Sequence, residues 1–189
     1  NKIIIKEVID QIERMDHSVK RILEYAKPEV MDKSVIDVDE VLEHTLSLIS
    51  QFASMKYIAV NFSKGPEEKK VYGDAKALGE MFLNICLNGI EAMEVEGTLN
   101  IFSHVKDKRE AEGNIHCIEV EIQDTGCGIK ENDLPLIFNP LYTTKESGTG
   151  LGLSISAKIV ENHNGFFDVE SAVGQGTNFK IYLPSLAKG

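Results

Sequence analysis

The sequence predicts an α+β fold, in which three helices accompany a set of strands. The first observation is an alternating apolar run at residues 117–124, which is typical of a half-buried strand. The second is helical periodicity in three segments after residue 36, two before this strand and one after it, in addition to the first 27 residues. The third is a pair of glycine clusters, at residues 124–129 and 148–153, of which the second leads directly into the last helix.

Length, composition and charge restrict the class of protein. The chain has 189 residues, enough for one ordinary domain with a sizeable core and an additional segment. No apolar run approaches the length of a membrane span, and no signal peptide is apparent. A net charge of −10 argues against non-specific nucleic-acid binding, so we expect no nucleic-acid partner. Cys86, Cys117 and Cys127 lack metal-ligand spacing, and their odd number favours a reducing cytosol.

The first 27 residues predict one helix with a coiled-coil seam. Apolar residues recur at alternating steps of three and four, as in a helix of a coiled coil or bundle, and Pro28 ends the pattern. Because a lone helix cannot bury such a seam, we expect a partner helix from elsewhere in a longer protein. A helix folded back on its own domain is the alternative. His17 lies at an outward position, where a solvated histidine is a simpler interpretation than a phosphate acceptor.

The next segments are predicted from periodicity and turn residues. Residues 29–36 are predicted to be a linker. Helical spacing predicts an amphipathic helix at 38–53, and alternation predicts a strand at 58–62. The charged segment 63–70 contains Gly and Pro and is predicted to be a turn, before a short extended piece at 71–72.

Residues 74–93 predict a largely buried helix that carries a polar stripe. Asp74 can cap its start. At about 100° per residue, the apolar side chains occupy two flanks and the polar ones lie between them. Since buried amides need partners, the stripe is either a structural hydrogen-bond network or the wall of a cavity whose amide oxygens meet a hard cation such as Mg²⁺. The stripe consists of Glu80, Asn84, Asn88 and Glu91.

The remaining strands and loops are predicted from apolar alternation and from charged or irregular segments. A strand at 99–105 is expected to pair antiparallel with the alternating strand, and the charged segment 106–114 between them is predicted to be a mobile hairpin loop. The irregular segment 128–148 between the glycine clusters predicts a lid that orders on a ligand. Two last strands are predicted at 166–171 and 177–183.

The glycine clusters predict a nucleotide site. Asp124 lies at a strand end, and the glycines after it allow the backbone to bend sharply. The second cluster opens a helix, where backbone N–H groups and the positive end of the helix dipole can hold a phosphate. A carboxylate that accepts from an amino group, beside a phosphate cradle, indicates a nucleotide, although either cluster alone is equally consistent with a surface turn.

With these elements, the chain resembles the ATP-binding catalytic domain of bacterial sensor histidine kinases, whose fold is shared by the gyrase, heat-shock chaperone and mismatch-repair ATPases. The glycine clusters resemble the two glycine boxes of that domain. The other motifs are an N box at 84–93, an F box at 138–141 and a closing turn at 174–177. The resemblance implies a two-layer α/β sandwich of the Bergerat type, a mixed sheet faced by three helices. The Glu-Ala-Met ending of the N box and the Tyr-Thr-Thr-Lys lid are similar to nitrogen-regulatory or sporulation-type kinases.

The resemblance implies a role for each matching residue. Asn88 would coordinate a Mg²⁺ ion that bridges the ATP phosphates, with Asn84 nearby. Asp124 would accept from the adenine amino group, with Thr177 beside it, and Lys145 would reach the terminal phosphates. Catalysis would depend on Asn84, Asn88 and Lys145. The glycine boxes would contribute the other nucleotide contacts, at Gly126, Gly128, Gly148, Thr149, Gly150, Leu151 and Gly152.

The implied reaction is transfer of the γ-phosphoryl group of ATP to a histidine on the first helix of a dimerisation domain, and from there to an aspartate of a response regulator or phosphorelay protein. Residues 1–28 would be the second dimerisation helix of a homodimer, 29–36 a linker, and 37–187 the catalytic domain. The domain is expected in the cytoplasm, in a parent protein that is either soluble or membrane-anchored. No histidine is followed by an acidic residue, so we expect the phosphoacceptor to lie outside this chain.

Asn84 favours a kinase over an ATPase. The hydrolytic relatives place a glutamate there to activate water, and an amide cannot take a proton. The alternatives are an anti-sigma-factor-like serine kinase or binding module of the same fold, and a scaffold that binds nucleotide weakly. Two residues depart from the pattern: Leu141 ends the F box where Phe is usual, and Gly89 replaces the usual Ala.

Overall fold

A mixed five-stranded sheet and three α-helices form two layers. The structure, a computed structural model, describes residues 31–110, 113–145 and 148–186, without the side chains of 108–115. The helix predicted at residues 1–27 lies outside the described residues. The described helices are α1 (Val38–Met55), α2 (Ala75–Ala92) and α3 (Gly152–Asn162), with a 3₁₀ turn at Leu134–Leu136. None of these described helices is both long enough and apolar enough to cross a membrane.

The strands form one large sheet and one small sheet. They are β1 (Ser34–Asp37), β2 (Ile58–Lys64), β3 (Lys70–Gly73), β4 (Gly97–Glu110), β5 (Gly113–Asp124), β6 (Phe166–Ala172) and β7 (Gly176–Pro184). The large sheet has the order β2-β4-β5-β7-β6, in which β2 and β4 are parallel and the other neighbours are antiparallel. β1 pairs antiparallel with β3. This arrangement confirms the predicted two-layer α+β fold with a mixed sheet and three helices.

The core lies between the helices and one face of the sheet. Ile118, Val120 and Ile122 of β5 are buried, as their alternation predicts. Each such side chain contributes about 1.5–3 kcal/mol when it is fully buried. The helices cover this face with apolar side chains that include Leu42, Ile49, Phe82, Ile85, Ile90 and Ile159.

Aspartate side chains cap the first two helices. Asp37 accepts a hydrogen bond from Asp39 N at 2.9 Å and begins α1. Asp74 accepts from Lys76 N at 2.9 Å and from Ala77 N at 3.0 Å, which confirms the predicted cap of α2. The cap fixes where α2 begins, and therefore which of its side chains share a face.

Two loop predictions are wrong. Residues 106–114, predicted as a hairpin loop, continue the ladder of β4 and β5, with Glu110 opposite Gly113. Cross-strand pairing replaces an apolar pattern there, for example between Asp107 Oδ1 and His116 Nδ1 at 2.7 Å. Residues 34–36, predicted as part of the linker, belong to β1.

The sheet face opposite the helices buries a carboxylate. Glu119 of β5 has an exposed fraction of 0%. Its oxygens accept from Lys106 Nζ, both at 2.8 Å, and Oε1 lies 2.7 Å from His104 Nε2. Burial raises the pKa of Glu119, but hydrogen bonds from Lys106, Tyr182 and His104 outweigh it, so the net shift is downward. These partners therefore favour the ionised form of a carboxylate that burial alone would protonate more easily.

Candidate active site

The second half of α2 is the centre of the candidate site. Asn84 and Asn88 are half-buried, while Glu91 is exposed. A residue four positions after another in a helix lies on the same face, so the two asparagines follow one another along the surface of α2. Asn84 contacts the start of α3, whereas Asn88 and Glu91 both contact Lys145.

Asn84 connects α2 to the start of α3. Its Nδ2 donates to Ser156 Oγ at 3.0 Å. A Cβ placed on Gly152 would lie only 2.3 Å from Asn84 Oδ1, so a larger residue there would displace the Asn84 side chain. Sequence reasoning missed Ser156, although two serines in an otherwise apolar helix, Leu153-Ser-Ile-Ser156, were a signal that one is buried against a polar partner.

Asp124 is a buried carboxylate at the end of β5, with an exposed fraction of 4%. Its Oδ1 accepts from Gly126 N at 2.8 Å and from Thr177 N at 3.3 Å. Burial raises the pKa of Asp124, and these two N–H groups only partly offset that effect. The structure thus brings together three residues of the predicted adenine site.

The helix backbone of α2 approaches this carboxylate closely. A Cβ placed on Gly89 would lie 3.2 Å from Asp124 Cβ, 3.5 Å from Asp124 Oδ2 and 3.0 Å from Leu99 Cδ1. The substitution of Gly for the usual Ala at this position therefore leaves more space beside the carboxylate.

Two glycines with positive φ support the loops around Asp124. Gly128 has φ +70°, and a Cβ there would lie 2.1 Å from Ala172 O. Gly176 has φ +88°, and a Cβ there would lie 2.0 Å from Asp124 O. Only glycine fits both the conformation and the contact. Gly128 thus lies against the end of β6, and nothing in the described contacts joins it to the Asp124 side chain.

Residues 141–150, called the lid loop below, overlap the end of the predicted lid at 128–148. The structure describes residues 141–145 and 148–150 of this loop. Leu141 N donates to Gly150 O at 2.9 Å, which joins the two ends of the loop. Tyr142 Oη donates to Asp133 Oδ1 at 2.7 Å. These bonds anchor the base of the loop to the protein.

Lys145 reaches from this loop to α2. Its Nζ donates to Asn88 Oδ1 at 3.3 Å and to Glu91 Oε2 at 2.5 Å. The juxtaposition of Lys145 and Asn88 brings two predicted site residues together. The pairing with Glu91 was not foreseen from the sequence, because the two residues lie far apart in the chain and both are exposed.

The predicted phosphate cradle lies at the N-terminus of α3. Leu151 is its N-cap residue and makes no side-chain capping bond, so the first backbone N–H groups depend on other partners. The second glycine box runs into this terminus, and Gly152 places it directly against Asn84. The members of the cradle are Gly148, Thr149, Gly150, Leu151 and Gly152.

A cavity of about 220 Å³ opens between α2 and α3. Asn84 and Ser156 line it, together with apolar side chains that include Leu83 and Ile155. Asp124 is not among the lining residues. The cavity therefore belongs to the Asn84 end of the site.

Comparisons with known proteins agree on one family. A family model described as "Histidine kinase-, DNA gyrase B-, and HSP90-like ATPase" matches residues 73–187. Sensor histidine kinase ZraS of Klebsiella oxytoca is 34% identical over 175 residues, which cover 92% of this chain and 36% of ZraS. Sporulation kinase B of Bacillus subtilis (strain 168) is 31% identical over 181 residues, which cover 95% of this chain and 40% of the kinase. The chain thus spans well under half the length of these relatives.

Solved structures show the same fold. The catalytic domain of histidine kinase ThkA has a TM-score of 0.71 at 28% identity, covering 82% of this chain and 97% of that domain. A structure of histidine kinase ThkA in complex with response regulator protein TrrA has a TM-score of 0.75 at 27% identity, covering 94% of this chain and 49% of that one.

Proposed function

We propose that this chain, which belongs to the family of histidine kinase-, DNA gyrase B- and HSP90-like ATPases, catalyses ATP-dependent phosphorylation of a histidine. The observation that carries the proposal is the convergence on α2. Asn84 contacts the phosphate cradle, Asn88 contacts Lys145, and Gly89 approaches Asp124. One helix thereby aligns the groups that would bind the two ends of ATP.

Asp124 would bind the adenine amino group. Its Oδ1 is committed to Gly126 N and Thr177 N, which leaves Oδ2 as the acceptor for an external donor. The phosphates would lie at the N-terminus of α3, where the glycine box from Gly148 to Gly152 presents backbone N–H groups. Lys145 would leave α2 and contribute its ammonium group to the same phosphates.

The residues around Asn88 fit a magnesium ion. The Asn88 Oδ1 atom already accepts a cationic group, the ammonium of Lys145 at 3.3 Å, and an amide oxygen is a suitable ligand for a hard cation. We therefore assign Asn88 as the protein ligand of Mg²⁺. When bound, the ion would neutralise phosphate charge.

The site positions ATP without activating water. The Asn84 amide is held by Ser156 and cannot accept a proton, so it cannot replace the catalytic glutamate of the hydrolytic relatives. The nearby Glu91 carboxylate is paired with Lys145. A nucleophile supplied from outside would attack the γ-phosphorus. An N–P bond then forms at an imidazole nitrogen, the bond from the γ-phosphorus to ADP oxygen breaks, and ADP leaves with the electron pair.

The partners follow from the relatives. Since the relatives include sensor histidine kinases, the acceptor would be a histidine on the first helix of a dimerisation domain, with residues 1–28 as the second helix. The complex of ThkA with TrrA supports a response regulator as the next acceptor. We infer a homodimeric parent protein and a cytoplasmic location for residues 37–187.

The test is autophosphorylation of a longer chain that includes the preceding dimerisation helix. Labelled ATP with Mg²⁺ should give an acid-labile, base-stable phosphate on a histidine, and Asn88→Ala should abolish both Mg²⁺-dependent ATP binding and transfer. An acid-stable phosphoserine on a partner protein would instead support the serine kinase alternative. ATP binding with no transfer to any acceptor would contradict the proposed kinase activity.

A further inference from the structure

The ion pair of Glu91 and Lys145 lies beside Asn88, the residue assigned to the metal. We propose that Glu91 is a positioning residue that holds the Lys145 ammonium on Asn88 until ATP arrives, so that nucleotide binding requires an exchange of this ammonium from Glu91 to the phosphates. This inference rests on the proposed function, because it concerns how the same site is regulated.

The geometry of α2 makes Glu91 the anchor of this contact. Asn88 and Glu91 are three residues apart, so their side chains are neighbours on one helix face. Lys145 Nζ lies 2.5 Å from Glu91 Oε2 and 3.3 Å from Asn88 Oδ1. The shorter contact is the charged one, and the neutral amide alone attracts an ammonium group weakly. The Glu91 carboxylate therefore holds the Lys145 ammonium against Asn88 Oδ1, the atom assigned as the Mg²⁺ ligand.

The backbone of Lys145 is also fixed. Its N–H donates to Thr143 Oγ1 at 3.1 Å, and its carbonyl accepts from Gly148 N at 3.2 Å. The lysine therefore extends from a turn at residues 143–145 that the Thr143 hydroxyl closes, and a change in side-chain rotamers alone can redirect its ammonium group. An exchange of partners need not unfold the turn.

The solvent exposure of the Glu91–Lys145 ion pair allows the lysine to exchange one partner for another. The side chains of Lys145 and Glu91 are 43% and 48% exposed, and ion pairs at such positions are weak. A buried pair would hold the lysine too strongly to be released. ATP brings several negative charges to the site, which attract the ammonium and repel the Glu91 carboxylate. The exchange is therefore driven by the ligand, at a small cost in affinity.

The experiment is a double-mutant cycle on Mg-ATP affinity, measured by calorimetry on this chain. The variants are Glu91→Gln, Lys145→Gln and the double variant, with the exposed Glu94→Gln as a control for net charge. In the proposed mechanism, Lys145→Gln weakens binding more in the Glu91→Gln background than in the wild type, by about two- to fivefold. Repulsion between Glu91 and the phosphates that does not depend on Lys145 cancels in this cycle.

A second readout does not depend on ATP. Trypsin cleaves after an accessible lysine, so cleavage after Lys145 without nucleotide should be faster in Glu91→Gln than in the wild type or Glu94→Gln. Additive effects in the cycle together with unchanged cleavage would overturn the inference while leaving the proposed function intact. No Mg-ATP binding by the wild type would contradict the proposed function itself.

Discussion

Replacing Asp124 with Asn tests the adenine contact directly. The amide has the shape of the carboxylate, and its oxygen can still accept from Gly126 N and Thr177 N, at 2.8 and 3.3 Å in the native site. The NH₂ group must then lie where Oδ2 now faces Gly89. The substitution therefore converts one acceptor into a donor, while the bonds that support the fold remain.

The expected loss of affinity follows from the burial of Asp124. Its exposed fraction is 4%, so water does not compensate for a lost partner. A hydrogen bond to a charged group contributes about 1.5–3 kcal/mol, and opposed donors add a further penalty. We therefore expect Mg-ATP affinity to fall by at least about tenfold, and by up to about 150-fold.

The pH dependence should change with the same substitution. Burial raises the pKa of Asp124, and only the ionised carboxylate can accept at both oxygens. ATP affinity of the wild type should therefore fall as the pH decreases toward this raised pKa. The amide introduced by Asp124→Asn does not titrate, so the variant should lose this part of the pH profile.

Calorimetric titration with Mg-ATP and Mg-GTP is the assay. Guanine has a carbonyl oxygen where adenine has its amino group, so the wild type should prefer ATP and the Asp124→Asn variant should lose that preference. Thermal denaturation is the control, since both proteins should unfold at similar temperatures. Equal ATP affinity in both proteins at the same stability would refute the assignment of Asp124.

Three further predictions concern backbone, catalysis and thiol chemistry. Gly128→Ala should destabilise the domain by about 2 kcal/mol or more, and Gly174→Ala by about 1 kcal/mol in thermal denaturation. Both glycines have positive φ, but an added Cβ meets backbone only at Gly128, so equal losses would contradict the contact argument. Asn84→Glu should raise phosphate release from ATP by at least about tenfold, below the ~10²–10⁴-fold of an optimally placed base. Unchanged release, with Asn84→Gln as reference, would leave the amide argument unsupported. Iodoacetamide at pH 8 should alkylate exposed Cys127 but not buried Cys86, whose pKa burial raises to about 12, and mass spectrometry reads out the modified residue.

Strong periodicity explains what the sequence could predict. In β5 the alternation of Ile118, Val120 and Ile122 requires one buried face, and only a strand provides it. The N-cap Asp74 is a local signal of the same kind, because its side chain accepts from backbone N–H groups two and three residues later. These elements needed no knowledge of distant contacts.

The features that the sequence did not predict have a common cause, which is their dependence on partners far away in the chain. The ribbon at 106–110 and β1 are held by pairing with other strands, and their own residues carry no apolar alternation. Glu119 is at an outward position of a strand, where His104, Lys106 and Tyr182 contact its carboxylate. Such residues depend on long-range partners, and single-sequence patterns do not contain that information.

Two features of the candidate site, the amide of Asn84 and the ion pair of Glu91 with Lys145, bear on whether the site can hydrolyse ATP. An ATP site that awaits a slow, separate nucleophile must not hydrolyse its substrate in the meantime. At this site the position used for water activation in the hydrolytic relatives is an amide fixed by Ser156, and the Glu91 carboxylate, further along the same helix, is paired with Lys145. The position that holds the general base in the hydrolytic relatives therefore offers no acceptor for a water proton here, and the proposed reaction depends on a nucleophile from a partner helix.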